Sequence, residues 1–112
     1  MRVDIDLLGR FSVAVDGRPV PEQEWRRRSA AALVKLLALR PGRRLHREQL
    51  IDLLWPDLLI AQAAPRLHKA AHYARAALGS PRSLVLSGVV VALFPVAQVV
   101  VDVEEVEEAV DA

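Results

Sequence analysis

The chain has 112 residues, of which 53% are hydrophobic, and its 15 basic and 14 acidic residues give a formal net charge of +1. This length allows one domain built around a single core. Cysteine is absent from the sequence, which excludes disulfides, thiolate metal sites and cysteine nucleophiles. We expect a cytoplasmic protein without membrane contacts, because the sequence contains no long apolar run and no secretory signal at its start.

Residues 1–20 predict a small antiparallel sheet. Apolar and polar side chains alternate over residues 3–7 and again over residues 11–15, which is typical of strands buried on one face. Asp16-Gly17 is a frequent hairpin turn, and residues 18–20 can form a short third strand. This region offers no catalytic grouping of side chains.

Three helices are predicted within residues 23–79. The first begins at about Gln23, and the second is a short helix from His46 to Trp55. The third extends from Pro65 to Gly79, because proline is favoured in a first helical turn and glycine in a left-handed stop. Residues 57–64 are predicted to connect the second and third helices.

The last part of the chain predicts a second hairpin and an acidic end. Residues 83–86 and 89–94 are apolar runs joined at Ser87-Gly88. Residues 99–101 can add a strand, and residues 103–110 predict a final turn or helix. The core is expected to include side chains from the three helices and the hairpin: Leu33, Leu36, Leu37, Leu50, Leu54, Trp55, Leu67, Ala71, Ala74, Leu78 and Leu93.

The predicted third helix has two unlike faces. Small and apolar residues recur at spacings of three and four, which indicates one buried stripe of Leu67, Ala70, Ala71, Ala74, Ala77 and Leu78. The other face carries basic and neutral polar residues only: Arg66, His68, Lys69, His72, Tyr73 and Arg75. Such a helix suits the major groove of DNA, and it suits an ordinary amphipathic surface helix equally well.

The charges are unevenly distributed. Residues 25–82 contain twelve basic and three acidic residues, a balance of +9, whereas the segment from Asp102 onward contains six acids and no base. A basic centre is the electrostatic signature of a polyanion partner, although basic surfaces can also be merely solubilising.

Metal, cofactor and catalytic sites are not expected. His68 and His72 lie one helical turn apart, but no third ligand accompanies them. The acidic residues 104–108 are interpreted as a solvated face. The five glycines are scattered at turns, and no Ser/His/Asp arrangement or phosphate-binding loop is present, so we do not expect an enzyme.

Four segments carry a resemblance to a known family: LLGRFSVAVDGRPV, LLALRPGRRLHREQLIDLLWPD, RLHKAAHYARAALG and VVVDVEEVE. They resemble the N-terminal DNA-binding domain of bacterial transcriptional activators of the antibiotic-regulatory type, which precedes a helical activator domain (BTAD). The resemblance implies an α+β fold, the OmpR/PhoB-like winged helix-turn-helix, with a small N-terminal antiparallel sheet, three helices and a C-terminal β-hairpin wing. It also implies that residues 102–112 form an acidic tail that leads to the activator domain, which is missing here.

The resemblance assigns the helix that begins at Pro65 to the major groove of double-stranded DNA and residues 83–94 to the wing. Base-reading residues would then be Arg66, Lys69, His72 and Tyr73. Phosphate contacts would be Arg26, Arg27, Arg28, Arg43, Arg44, Arg47 and Arg75.

Some positions depart from the family pattern by replacing polar surface with apolar surface. They are Leu58, Leu59, Ile60, Ala76, Val89 and Val90. An exposed apolar patch usually marks a protein interface. The alternative function is therefore a protein-binding or homodimerising module, natural or engineered, on the same fold.

Overall fold

The computed structural model describes the backbone of residues 1–111 and the side chains of residues 1–107, and it shows an α+β fold. In this part of the chain there are seven strands: β1 (Arg2–Asp6), β2 (Ser12–Val15), β3 (Arg18–Pro19), β4 (Arg44–His46), β5 (Leu84–Ser87), β6 (Val90–Leu93) and β7 (Gln98–Val101). There are four α-helices: α1 (Arg28–Ala38), α2 (Arg47–Leu54), α3 (Ile60–Leu78) and α4 (Asp102–Asp111). None of these helices has the length and apolarity that a membrane span requires.

The first sheet has the strand order β3-β2-β1-β7. The predicted hairpin of β1 and β2 is confirmed, with Val3 opposite Val15. The antiparallel arrangement predicted for residues 1–20 and the strand predicted at residues 99–101 are confirmed. The prediction did not include the partner of that strand: β7 pairs with β1 in parallel and sets Val101 opposite Ile5. A parallel pair joins segments that are distant in the chain, so the local alternation of residues could not predict this partner.

The second sheet has the order β4-β6-β5 and lies against the helices. The predicted hairpin is confirmed, since β5 and β6 pair antiparallel with Leu84 opposite Leu93. Gly88 at its turn has φ +61°, a left-handed conformation that glycine adopts without strain. Strand β4 pairs with β6 on the other side and places Leu45 opposite Val91.

Helix α3 is longer than the sequence predicts. It begins at Ile60 rather than Pro65, so residues 60–64 belong to the helix and not to a connector. Ala63 is completely buried, whereas Pro65 is exposed on the outer side of the helix. Packing of the first turns against the core therefore outweighs the cost of an internal proline. The predicted end is confirmed, because Gly79 adopts φ +74°.

The two other core helices begin later than the sequence predicts. Helix α1 begins at Arg28 rather than Gln23, because residues 22–25 form a short 3-10 helix and Arg27 is extended. Helix α2 begins one residue after the predicted start, where Nδ1 of His46 accepts a hydrogen bond from the Glu48 N–H at 3.1 Å. This cap satisfies one N–H of the first helical turn.

The core agrees largely with the prediction. Eight predicted members are buried: Leu33, Leu37, Leu50, Leu67, Ala71, Ala74, Leu78 and Leu93. The other three, Leu36, Leu54 and Trp55, are half-buried and pack against the core. Strand β1 contributes Val3 and Ile5, so the first sheet covers one side of this core.

Candidate nucleic-acid interface

Helix α3 presents a basic and neutral polar face to solvent. All six residues of its predicted apolar stripe are buried, which confirms the inner face. Arg66, His68, Lys69 and His72 are exposed, whereas Tyr73 and Arg75 are half-buried at the two flanks. The helix contains no acidic residue, so its exposed face is free of intrahelical ion pairs.

The start of α1 meets one flank of α3 through a cation–π contact. The guanidinium carbon of Arg27 lies 3.8 Å from the centre of the Tyr73 ring. Arg27 is the last extended residue before α1, with φ −80° and ψ 105°, and this turn of the backbone brings its side chain to Tyr73. A guanidinium over an aromatic face is held by the ring quadrupole, so the contact fixes Arg27 beside α3.

A surface depression with a volume of about 280 Å³ lies beside this contact, and we call it the α1–α3 bowl. Its lining consists of Arg27, Ser29, Trp55, Arg66, Lys69 and Tyr73. Among the described side chains, no carboxylate lies within ion-pair distance of the three cations in this lining. Positive charge is therefore concentrated in a concave site, where low-dielectric walls strengthen the local field.

The structure divides the predicted base-reading residues into two groups. Arg66, Lys69 and Tyr73 line the α1–α3 bowl, whereas His72 does not. Residues of an ideal helix are separated by about 100° per residue, so Tyr73 falls about 20° from Arg66 and His72 about 120° from it. Arg66 and Tyr73 thus face the flank toward α1, and His72 faces outward.

Two of the predicted phosphate-contacting arginines are engaged within the protein. Arg43 pairs with Glu104, which raises the pKa of Arg43 through their side-chain hydrogen bonds and lowers that of Glu104. Nε of Arg75 donates to the carbonyl oxygen of Leu84 at 2.8 Å and so ties α3 to β5. Sequence reasoning missed both roles, because each contact depends on tertiary packing.

The remaining predicted phosphate contacts lie at several places on the surface. Arg28 is exposed at the first residue of α1, and Arg44 is exposed on β4. Arg47 is half-buried at the start of α2, where its N–H donates to the carbonyl oxygen of Val89 at 2.7 Å. Arg26 lines a different depression, together with Trp25.

The six positions of the predicted apolar interface are spread along α2 and α3. The carbonyl oxygen of Val89 accepts a hydrogen bond from Arg47, the first residue of α2. Leu59 and Ile60 follow the other end of this helix, which is about 12 Å long. Ile60 and Ala76 are separated by sixteen residues of α3, or about 24 Å along its axis. Leu58 and Val90 are half-buried. The alternative interface therefore stays a prediction, with its positions spread along α2 and α3 and two of its side chains half-buried.

Two residues of the bowl were absent from the predicted site. Ser29 and Trp55 line it because the start of α1 and the end of α2 converge on the same flank of α3. The only sequence signal was their position at helix ends.

Within the described residues, no three His, Cys, Asp or Glu side chains are grouped so that they could hold a metal ion.

Comparisons of the chain with protein-family models, curated proteins and solved structures found no match. The family resemblance of the sequence segments therefore stays a prediction, and functional inference depends on the contacts and charges of the chain itself.

Proposed function

We propose that this chain is a winged-helix DNA-binding domain of the bacterial transcriptional-activator type that its sequence resembles. Its role is to bind double-stranded DNA rather than to catalyse a reaction. The observation that carries this proposal is the outer face of α3, which exposes Arg66, His68, Lys69 and His72 and contains no acid. Carboxylates on this face of α3 would repel the phosphates that border a DNA groove.

The arrangement of the helices supports the proposal. Helix α2 ends at Leu54 and α3 begins at Ile60, and both pack on α1. This is the order of a helix-turn-helix, in which the second helix of the pair enters the major groove and its exposed side chains reach the bases. The β5–β6 hairpin would be the wing, and the hydrogen bond from Arg75 to Leu84 holds it against α3.

Arginines outside α3 would provide the phosphate contacts. Arg26, Arg28, Arg44 and Arg47 keep this proposed role, whereas Arg43 is omitted because Glu104 neutralises it. Phosphate contacts fix the orientation of a protein on the duplex and supply most of its non-specific affinity. Sequence preference would then come from α3 itself.

The proposal is tested by titrating the protein into fluorescently labelled duplexes of random sequence at several salt concentrations. We expect affinity to fall linearly with salt on logarithmic axes, with a slope of about −0.9 for each phosphate contacted. The double variant Lys69→Gln/His72→Ala should weaken binding, whereas Arg18→Gln should not, because Arg18 lies on β3, the edge strand of the first sheet, and not on the exposed face of α3. Absence of duplex binding at low salt, or equal effects of the two variants, would contradict the proposal.

A further inference from the structure

The lining of the α1–α3 bowl contains basic residues for which the sequence predicts two different roles. Arg27 belongs to the predicted phosphate contacts, and Arg66 and Lys69 belong to the predicted base readers. All three nevertheless line one concave surface of about 280 Å³. Like charges brought together repel each other, and the repulsion is strongest away from bulk water. An anion bound in the bowl would remove this repulsion.

We propose that the α1–α3 bowl binds one phosphodiester group of the DNA backbone through Arg27, Arg66 and Lys69. Arg66 then positions the protein on the duplex and does not read a base. This inference rests on the proposed DNA-binding function and assigns the chemistry of one part of the interface.

The bowl is organised before any ligand binds. The face of the Arg27 guanidinium is occupied by the Tyr73 ring at 3.8 Å, which leaves its N–H groups at the edge free to donate. Guanidinium groups bind phosphate through two parallel N–H donors, and a fixed guanidinium loses less conformational freedom on binding. Ser29, whose side chain is a neutral hydroxyl, belongs to the same lining.

The geometry of α3 explains why Arg66 belongs to this site. Arg66, Lys69 and Tyr73 follow one another at spacings of three and four residues, so they form one row along the helix. This row faces the start of α1, because Tyr73 contacts Arg27. His72 lies outside the bowl, and its outward position leaves it free to reach a base edge.

The first experiment uses inorganic phosphate as the probe and the wild-type protein, Arg66→Gln and Arg18→Gln as samples. Amide chemical shifts are followed by NMR during the titration, with sodium chloride of equal ionic strength as reference. We expect a saturable shift at Ser29 and Tyr73 that disappears in Arg66→Gln and persists in Arg18→Gln. Arg18 contacts the same depression as Gly79, which is about 20 Å along α3 from Arg66.

The second experiment measures binding of the same variants to several duplexes of unrelated sequence. Arg66→Gln should lower the affinity for every duplex by the same factor and should reduce the salt slope by about 0.9, the value for one lost phosphate contact. Arg18→Gln should leave the slope unchanged. Thermal unfolding of each variant checks its fold, and Lys69→Gln replaces Arg66→Gln if the latter does not fold.

Three results would overturn the inference. A loss that differs between duplexes at an unchanged salt slope would make Arg66 a base reader. Phosphate shifts that do not saturate, with normal duplex binding, would remove the site and leave the proposed function intact. Saturable phosphate binding without any duplex binding at low salt would reject both the phosphodiester ligand and the proposed function.

Discussion

Arg43 and Glu104, which are 61 residues apart in the sequence, form a bidentate ion pair in which Nη2 of Arg43 lies 2.7 Å from Oε2 of Glu104. The Arg43 side chain is 16% exposed and that of Glu104 is 42% exposed. Nη1 of Arg43 also donates to the carbonyl oxygen of Ala38 at 2.6 Å. Arg43 lies immediately before β4, and its contacts therefore link the end of α1 to α4.

This pair predicts a pH-dependent contribution to stability. The hydrogen bonds from Arg43 lower the pKa of Glu104 below its ordinary value of 4.5. A lowered folded-state pKa means that the stabilisation is fully present above 4.5 and is lost as the pH falls through the folded-state pKa. We expect Glu104→Gln to reduce the free energy of unfolding by about 1 kcal/mol at pH 7, since the carboxylate is partly solvent-screened.

The measurement is urea denaturation of the wild type and Glu104→Gln at neutral and acidic pH. The difference between them should shrink as Glu104 becomes protonated. Glu107→Gln, on the exposed side of the same helix, serves as the matched control and should show no such change. A difference that is independent of pH would disprove the electrostatic origin.

Asp102 predicts a second acid-sensitive contact. Burial raises its pKa, but hydrogen bonds donated by the N–H groups of Leu7, Leu8 and Val103 outweigh this effect, so the pKa is lowered. The Leu7 and Leu8 bonds are 2.8 and 3.0 Å long. Asp102→Asn replaces one accepting oxygen by a donor, and we expect a loss of about 1–2 kcal/mol at pH 7.

Thermal unfolding of Asp102→Asn checks this expectation, with Asp52→Asn on the exposed side of α2 as control. The contribution of Asp102 should be complete at neutral pH and vanish in acid, by the same linkage as for Glu104. If both asparagine variants unfold at the wild-type temperature, the carboxylate does not fasten α4 to the end of β1.

Local sequence signals explain which features could be predicted. The turn at Ser87-Gly88, the left-handed Gly79 and the short α2 each depend on residues that are adjacent in the chain, and these predictions are confirmed. The pairing of β1 with β7 and the Arg43–Glu104 contact depend on distant segments. No local pattern encodes such partners, so the predicted site contained Arg43 and lacked Trp55.

Pro65 lies inside α3, where it removes the N–H that would bond to the carbonyl oxygen of Ala61. We expect Pro65→Ala to stabilise the protein by about 2 kcal/mol, because the helical gain exceeds the entropy that alanine returns to the unfolded chain. Denaturant unfolding measures this change. Pro56→Ala, in the turn before α3, should have the opposite sign, so stabilisation by both variants would contradict the reasoning.

A comparison of Leu50 with Leu59 measures how much burial of a leucine side chain contributes to the free energy of unfolding. Leu50 is 0% exposed and Leu59 is 72% exposed. Leu50→Ala removes buried methyl groups and leaves a cavity, so we expect a loss of about 2–5 kcal/mol. Leu59→Ala should change the free energy of unfolding by less than about 0.5 kcal/mol. A large effect of Leu59→Ala in chemical denaturation would indicate a self-associated form in which Leu59 is covered.

Ala76 allows the proposed DNA-binding face to be tested by gain of function. It is exposed on α3, seven residues after Lys69 and four after His72, and therefore lies between the directions of these two side chains on the exposed face. An arginine there should reach a phosphate or a base edge. We expect Ala76→Arg to tighten duplex binding and to make the salt slope steeper by about 0.9.

The control for Ala76→Arg is Gln98→Arg, which adds the same charge at the exposed first residue of β7. Both variants raise the net charge equally, so long-range attraction alone predicts the same small increase in affinity for the two. A local contact predicts that only Ala76→Arg changes the salt slope. Binding curves measured over a series of salt concentrations give the slope for each variant and separate the two cases. Identical slopes for the two variants would place the exposed face of α3 away from the DNA.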